Sequence, residues 1–497
     1  MVGGYLLTAA AEAQYPVSRV GTEYEWHAPA RTEVNNLTSV LRSSGVYGFI
    51  FNSSETPSGD YGTYNWCNMP HVRPSEYIRP APDFELQFVE VIHRHHKRTP
   101  YASNGFPVEA YPWDCNDTRL FQYGQPMGQP EPAHVYRQIL NSPENPFRPS
   151  GWTGTCAFPQ ITAEGLQDSW QHGVDLFDVY HGLVGLLPAR GSNFQSVVRY
   201  RVTNNAITSQ VAGMIVSGMW RTTGAVPLTV QPEGIDSLEP EYNCPAGQRL
   251  FDEIKSNRNP DWKKHLEVAA GWFQTLDDIS GVRRDDTGFH ASFDHYYDNL
   301  SARQCHAKPL PCDLTEGLDN STCVEQELAD AVYRIGNWEY SQIYRDHPSS
   351  LLASAASLGV WIGELMSHLR DSMTNATNII YYHNVAHDGT LSRLLSILQL
   401  DEMVWPGMGS EVVFELYRQK RDGCSPGSVS LKTAGIYSTS SPSTECFYLR
   451  VLFGGRPLKS SSPLLGTMDM IPVNKVLEYL EALVGKGADM VQSICRS

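Results

Sequence analysis

The sequence is poor in basic residues. Its 497 residues include 38 lysines and arginines against 54 aspartates and glutamates, which gives a formal net charge of −16. Broad affinity for nucleic acid or for an anionic membrane surface needs a basic surface. We therefore expect no nucleic-acid partner, and any cationic binding pocket must be local.

Long hydrophobic runs and C-x-x-C pairs are also absent. No run approaches the roughly 18–20 apolar residues that span a bilayer, so we expect no membrane partner. Without a C-x-x-C pair there is little to indicate a cysteine-based zinc site, and an even number of scattered cysteines favours disulfides instead. The ten cysteines are Cys67, Cys115, Cys156, Cys244, Cys305, Cys312, Cys323, Cys424, Cys446 and Cys495.

Six N-x-S/T sequons accompany these cysteines, at Asn36, Asn52, Asn116, Asn299, Asn320 and Asn375. A sequon marks a potential N-glycan on a secreted protein. Together with the cysteines, the sequons favour a secreted glycoprotein over a reduced cytosolic enzyme. Residues 1–13 end in an Ala-x-Ala pattern, but they lack a basic start and do not by themselves predict a signal peptide.

The pattern along the chain predicts an α/β protein with an insertion. Residues 1–80 are rich in Gly, Pro, Ser and aromatics, which indicates an irregular N-terminal arm. Strand-like and helix-like segments alternate over 81–244 and 346–497, which we interpret as one α/β core. Residues 245–345 are richer in charge and aromatics and are predicted to form an inserted, mainly helical domain. The Pro-rich stretch 101–160 is interpreted as a long loop near the site.

The most informative motif is Arg94-His-His-Lys-Arg-Thr-Pro100, which directly follows the strand-like run 84–92. Ligands of α/β proteins bind at the carboxyl ends of strands. The guanidiniums of Arg94 and Arg98 would attract a tetrahedral oxyanion there, and His95 between them can act as a nucleophile.

Two further segments end predicted strands with groups suited to phosphate. Arg201 lies in Tyr200-Arg-Val-Thr203, and His387-Asp388 follows the apolar run that begins at Ile379. Each is unremarkable alone, but their order and context together with the first motif indicate a common site.

In these three motifs the chain resembles the histidine acid phosphatases, branch 2 of the histidine phosphatase superfamily. The family's Arg-His-Gly-x-Arg-x-Pro matches residues 94–100, its Val-Arg-Ser-Thr matches 200–203, and its distal His-Asp matches 387–388. Segments 410–417 and 449–458 are also similar. The resemblance implies a phosphoglycerate-mutase-like three-layer sandwich around a mostly parallel sheet. Residues 65–67 and 95–104 resemble a fungal secreted subgroup.

The resemblance also implies a mechanism. Neutral His95 would attack phosphorus and form a phosphohistidine that water then hydrolyses. Arg94, Arg98, Arg201 and His387 would bind the phosphate oxygens, and Asp388 would protonate the leaving group, which predicts an acidic pH optimum. No metal and no cofactor is implied, and the small-molecule partner is a phosphate monoester.

One departure and two alternatives remain open at this point. His96 stands where the family has Gly, so the turn or the pocket is expected to differ. A phytase acting on inositol hexakisphosphate needs extra cations around the pocket, and residues 101–118 contain no lysine or arginine. The other alternative is a non-catalytic secreted glycoprotein on the same scaffold.

Overall fold

The computed structural model describes residues 25–48, 64–108, 111–121, 135–140, 142, 144–148, 151–313, 322–421, 424 and 444–496. Within these residues the chain forms a mixed α/β fold around one eight-stranded sheet. The ten strands are β1 (Phe84–Arg94), β2 (Leu120–Phe121), β3 (Tyr136–Arg137), β4 (Val198–Val202), β5 (Leu228–Thr229), β6 (Tyr381–Ala386), β7 (Glu411–Gln419), β8 (Phe447–Phe453), β9 (Arg456–Pro457) and β10 (Ile471–Pro472).

The central sheet has the strand order β10-β8-β7-β1-β6-β4-β5, with β9 on β8, while β2 and β3 pair separately. The pairings β1–β6, β6–β4 and β4–β5 are parallel, and the pairings of β7 with β1 and β8 are antiparallel. Because β8 is antiparallel to β7, it points the same way as β1, so most strands of the sheet share one direction. The predicted mostly parallel sheet is confirmed.

Helices cover both faces of this sheet. The described helices are α1 (Leu37–Arg42), α2 (Ala163–Phe177), α3 (Ala206–Trp220), α4 (Pro245–Ile254), α5 (Pro260–Val268), α6 (Ala270–Ser280), α7 (Asp294–Cys305), α8 (Gln326–Ser341), α9 (Ser349–Thr374), α10 (Asp388–Ile397), α11 (Val473–Val484) and α12 (Val491–Arg496). Alternation along β1 separates the two cores: Val89 and Val91 pack with α2 and α3, whereas Phe88 and Ile92 pack with α9, α10 and α11. Successive strand side chains point to opposite faces, and this produces the three layers.

Helices α2 and α3 lie unusually close together because two glycines face the partner helix. A Cβ on Gly218 would lie 2.1 Å from the carbonyl oxygen of Trp170, and one on Gly173 would lie 2.4 Å from that of Ile215. Both distances are shorter than any real contact. The close packing keeps α2, which begins at the Thr162 cap, firmly against the sheet near the end of β1.

The described residues within 245–341 form the five helices α4 to α8. Helices α5 to α8 pack with the N-terminal segment, whereas α4 packs against α9. Aromatic side chains dominate their shared core, in which Trp66 lies against Tyr297 and Trp405. Apart from α1, the described residues before 81 contain no helix or strand element. The boundaries of the arm, the core and the inserted domain stay predictions.

All ten cysteines are paired, so the predicted disulfides are present. The five bonds are Cys67–Cys305, Cys115–Cys156, Cys244–Cys495, Cys312–Cys323 and Cys424–Cys446. The first joins the N-terminal arm to α7, and the third joins the start of α4 to α12. Both link segments that are far apart in the sequence.

Helix α9 qualifies the expectation that no segment could cross a membrane. By length and composition it is apolar enough to do so, with a mean hydropathy of 1.3 over its best 18-residue stretch. In the fold, however, 72% of that stretch is buried inside the protein. A helix that is apolar on most sides and buried is a core helix.

The sequons fall into three groups. Asn36, Asn116 and Asn375 are exposed, so a glycan could be attached there, whereas Asn52 and Asn320 lie outside the described residues. Asn299 is buried in α7, and its side-chain amide donates to the carbonyl of Asn104. A glycan on Asn299 is incompatible with this fold, and glycosylation of the exposed sites stays a prediction.

Candidate active site

The site begins where β1 and β6 end side by side. Parallel register places Arg94 opposite Ala386, so the residues that follow each strand emerge at the same edge of the sheet. The backbone N–H of His95 donates to the carbonyl of Ala386 at 3.0 Å, and the N–H of Gly409 donates to the carbonyl of His95 at 3.1 Å. The main chain of His95 is therefore held from both sides.

The imidazole of His95 has a defined tautomer. Its Nδ1 lies 3.0 Å from the carbonyl oxygen of His96, and because a carbonyl only accepts, Nδ1 carries the proton and Nε2 carries the lone pair. Burial, then the charges of Arg98, Arg94 and His387, lower the pKa of His95 well below its ordinary value. A neutral imidazole with a free Nε2 is what a nucleophile requires.

His387 and Asp388 connect β6 to α10. The rings of His95 and His387 lie 5.3 Å apart between centroids. Nε2 of His387 lies 3.0 Å from the hydroxyl of Thr203 and 2.7 Å from a carboxylate oxygen of Glu239. His387 is thereby fixed next to His95 by groups from the end of β4 and from the loop after β5.

Asp388, the first residue of α10, is held by Trp405 and Arg94. Its Oδ2 accepts from Nε1 of Trp405 at 2.7 Å and lies 3.2 Å from a guanidinium nitrogen of Arg94. Burial raises the pKa of Asp388, but Arg94, the Trp405 hydrogen bond and Arg98 outweigh it, and the pKa is below its ordinary value. In the free protein Asp388 is therefore ionised at mildly acidic pH.

Arg94 and Arg98 lie on either side of His95 in the sequence, and both are buried. Arg94 stacks on Trp66 at 4.6 Å and donates to the carbonyl of Pro406. Arg98 lies over the ring of Tyr101 at 4.3 Å and is 3.1 Å from Asp298. The aromatic faces and carboxylates hold both guanidiniums rigid, which is how a preorganised anion site is built.

Arg201 is not brought together with the other five predicted site residues. Its guanidinium is bound by Asp236 and Glu364 and also donates to Gln231 and Ser237. Its role in binding phosphate stays a prediction. Two carboxylates, one in the loop after β5 and one on α9, already compensate the charge of the guanidinium.

A pocket of about 190 Å³ opens above the imidazole of His95. Three of the predicted residues line it, and sequence reasoning missed most of the others. Its lining consists of His95, Tyr101, Glu239, His387, Asp388, Gly389, Thr390 and Arg393. Tyr101 directly follows the first motif and Arg393 is five residues after Asp388, so proximity along the chain could have indicated them. Glu239 lies in a loop without any motif, and no signal in the sequence marks it.

His96 is accommodated by a glycine elsewhere in the chain. Its ring is fully buried and lies against Gly409, where a Cβ would come within 2.7 Å of the imidazole Nε2. Gly409 also has a φ of +71°, which a glycine adopts without strain. His96 thus points away from the pocket and does not narrow it.

Lys97 does not act as a pocket cation. It is buried and lies 3.0 Å from the carboxylate of Asp168 on α2. This buried ion pair ties the segment after β1 to α2.

The chain is similar in sequence to known proteins. A family model described as histidine phosphatase superfamily (branch 2) matches residues 85–453. Counting factor 60 of Dictyostelium discoideum is 23% identical over 368 residues, covering 72% of this chain and 82% of that protein. Prostatic acid phosphatase of Homo sapiens is 24% identical over 290 residues, covering 56% of this chain and 70% of that protein.

Among solved structures, the apo form of Hafnia alvei phytase is similar with a TM-score of 0.49 and 10% identity, covering 82% of this chain and 99% of that chain. The phytase of D. castellii is similar with a TM-score of 0.45 and 11% identity, covering 88% of this chain and 92% of that chain. The family match extends over most of the chain and includes all three motifs. The chain therefore belongs to the histidine phosphatase superfamily, branch 2.

Proposed function

We propose that the protein is a secreted acid phosphatase that hydrolyses phosphate monoesters through a phosphohistidine intermediate on His95. The observation that carries this proposal is the neutral imidazole of His95, which lines a small pocket. Its Nδ1 makes the hydrogen bond to the backbone, so its Nε2 keeps a lone pair for attack. The guanidiniums of Arg94 and Arg98 are near enough to lower the pKa of His95, and they supply the positive charge that the non-bridging phosphate oxygens require. His387 lies beside the imidazole as a further group that can bind these oxygens.

In the first step Nε2 of His95 attacks phosphorus, and the bond from phosphorus to the ester oxygen breaks. The leaving alkoxide takes a proton from Asp388, which lies on the pocket wall. In the second step Asp388 accepts a proton from water as the water attacks the phosphohistidine and frees His95. Arg94 and Arg98 bind the transferring group throughout, because its charge is spread over the three equatorial oxygens.

The protonation of Asp388 is the step that makes acidic pH favourable. The carboxyl is ionised in the free protein because its pKa is lowered by its surroundings. A bound phosphate adds negative charge next to it and neutralises part of the effect of Arg94 and Arg98, which raises the pKa again. Transfer to the leaving group therefore falls as pH rises through the pKa of Asp388 in the substrate complex.

The charges around the pocket favour a small monoester over inositol hexakisphosphate. Among the residues lining it, Arg393 is the one arginine or lysine, whereas Glu239 and Asp388 are acidic. Glu239 lies on the same side as His387, where further phosphates of a polyanionic substrate would meet a like charge.

The five disulfides and the exposed sequons support secretion.

Replacing the nucleophile tests the proposal directly. His95→Ala should reduce kcat on p-nitrophenyl phosphate by at least about 10³-fold, because no covalent intermediate can form. In the wild-type protein, quenching a turnover with alkali should trap labelled phosphate on one histidine. The matched control is His290→Ala, in the helical segment, which should keep activity. Wild-type activity in His95→Ala, or no activity in the wild type, would contradict the proposal.

Replacing Asp388 tests the proton-transfer step. Asp388→Asn should lower kcat by about 10²–10⁴-fold on an alkyl phosphate such as glycerol phosphate. The loss should be smaller on p-nitrophenyl phosphate, because p-nitrophenolate leaves without a proton. The decrease of kcat towards neutral pH should also disappear in this variant for the alkyl substrate. Equal losses on both substrates would show that Asp388 is not the acid.

The two arginines with different environments form a matched pair. Arg98→Gln should weaken competitive inhibition by inorganic phosphate by about 10- to 100-fold, which corresponds to one hydrogen bond to a charged group. Arg201→Gln should change the inhibition constant of phosphate less than about 3-fold. It should lower the denaturation midpoint, because the substitution leaves Asp236 and Glu364 without their partner. Equal weakening in both variants would place Arg201 in the phosphate site.

Substrate choice separates the acid phosphatase from the phytase. Initial rates on p-nitrophenyl phosphate should exceed those on inositol hexakisphosphate at equal concentration. Glu239→Gln should narrow the difference, because it removes the like charge beside His387 without changing the shape of the side chain. A wild-type preference for inositol hexakisphosphate would establish the phytase instead.

A further inference from the structure

A cluster of three histidines lies behind the nucleophile, on the side away from the pocket. His93 is the penultimate residue of β1, His96 follows the nucleophile, and His172 lies on α2. All three side chains are fully buried. One ring nitrogen from each converges on the others, and these nitrogens lie within 4.8 Å of one another. We call this group the buried histidine cluster.

The outer nitrogen of each imidazole has a hydrogen-bond partner. Nδ1 of His93 lies 2.8 Å from the carbonyl oxygen of Arg94, and Nε2 of His172 lies 2.9 Å from the carboxylate of Glu411. Nδ1 of His96 lies 3.0 Å from the hydroxyl of Ser169. Metal-binding histidines have this arrangement, in which the second nitrogen binds a carbonyl, a carboxylate or another polar oxygen.

These partners determine where the protons are. The carbonyl of Arg94 can only accept, so His93 carries its proton on Nδ1. The hydroxyl of Ser169 donates its single proton to the carbonyl of Gly165 at 2.7 Å, so it must accept from Nδ1 of His96. An ionised Glu411 accepts from Nε2 of His172. All three inner nitrogens therefore present lone pairs.

Lone pairs that converge in a dry interior repel one another unless a positive centre lies between them. Nε2 of His93 is buried without a hydrogen-bond partner among the described residues. Nε2 of His96 and Nδ1 of His172 are only 3.3 Å apart. Zinc–nitrogen bonds of roughly 2.0–2.1 Å at tetrahedral angles require neighbouring nitrogens about 3.3 Å apart. Nε2 of His96 and Nδ1 of His172 thus already have the spacing that two ligands of such an ion require.

We propose that His93, His96 and His172 form a buried binding site for one divalent metal ion of the zinc class, separate from the phosphate pocket. Neutral imidazoles suit this class of ion. Burial lowers the pKa of all three histidines, which keeps them in the neutral form that binds metal. Being enclosed, the ion enters as the protein folds.

The ion has a positioning role for the nucleophile. The carbonyl that sets the tautomer of His95 belongs to His96, and the carbonyl that orients His93 belongs to Arg94. Binding the side chains of His93 and His96 to one ion would hold both peptides in place. This also gives a reason for a histidine at the position where the family has Gly, with Gly409 leaving room for its ring.

The alternative arrangement has a proton instead of a metal. Burial raises the pKa of Glu411 to about 7. A protonated Glu411 would donate to Nε2 of His172, whose Nδ1 could then donate to Nε2 of His96. The two arrangements differ in metal content, which can be measured without reference to activity.

The test uses the full chain, produced with Zn²⁺ in the medium and passed through a chelating column to remove loosely bound ions. Elemental analysis should find about one zinc per chain in the wild type. Production with Co²⁺ instead should give the visible absorption bands of four-coordinate cobalt. Wild-type protein without bound metal would overturn the proposal whatever the variants do.

Three variants locate the ion. His172→Gln should contain less than about one tenth of the wild-type zinc, because one of three protein ligands is lost. His265→Gln removes an equally buried histidine, which is bonded to Glu339 in the helical segment. This variant should retain about one zinc per chain. His387→Ala should also keep it. Loss of zinc in His387→Ala, or full zinc in His172→Gln, would place the ion in the pocket or elsewhere and overturn the proposal.

Discussion

The parallel pairing of β1 with β6 is the constraint on which the site depends. It brings the residues after Arg94 and the residues after Ala386 to the same edge of the sheet, although almost three hundred residues separate them in the chain. The hydrogen bond from the N–H of His95 to the carbonyl of Ala386 extends this pairing by one residue beyond the strand. A slip of the register would move His95 away from His387 and Asp388 and reverse the faces of β1.

The second constraint is the cost of burying charge. The three buried cations of the segment 94–98 each have a carboxylate partner: Asp388 for Arg94, Asp298 for Arg98, and Asp168 for Lys97. Burying an unpaired charge would be costly, but a fully neutralised site would not attract phosphate. His95 itself stays neutral, because burial and then the charges of Arg98 and Arg94 lower its pKa well below the ordinary value. The charged groups around the pocket are therefore stable in the folded protein, and the pocket can still accept an anion.

Much of this arrangement could be predicted from sequence because it is local. The apolar run before Arg94 with its basic end and the run before His387 both depend on neighbouring residues, and the structure has these strands at the expected places. The position of Arg201 could not be predicted, because Glu364, its partner 163 residues away, competes for the guanidinium. Glu239 could not be predicted either, because no sequence motif surrounds it. His172 is a single histidine on a helix, and only the packing of α2 against the sheet places it beside His93 and His96.

Two of the disulfides overlap along the chain, and this changes how the protein responds to proteolysis. A backbone cut between residues 67 and 305 leaves fragments joined by the first bond, and a cut between 244 and 495 leaves them joined by the other. One nick at any point from 67 to 495 therefore produces no separate fragment while the bonds are oxidised. From residue 67 to residue 495 the chain behaves topologically like a closed ring, so the first peptide bond that a protease breaks in this region does not let the two fragments diffuse apart.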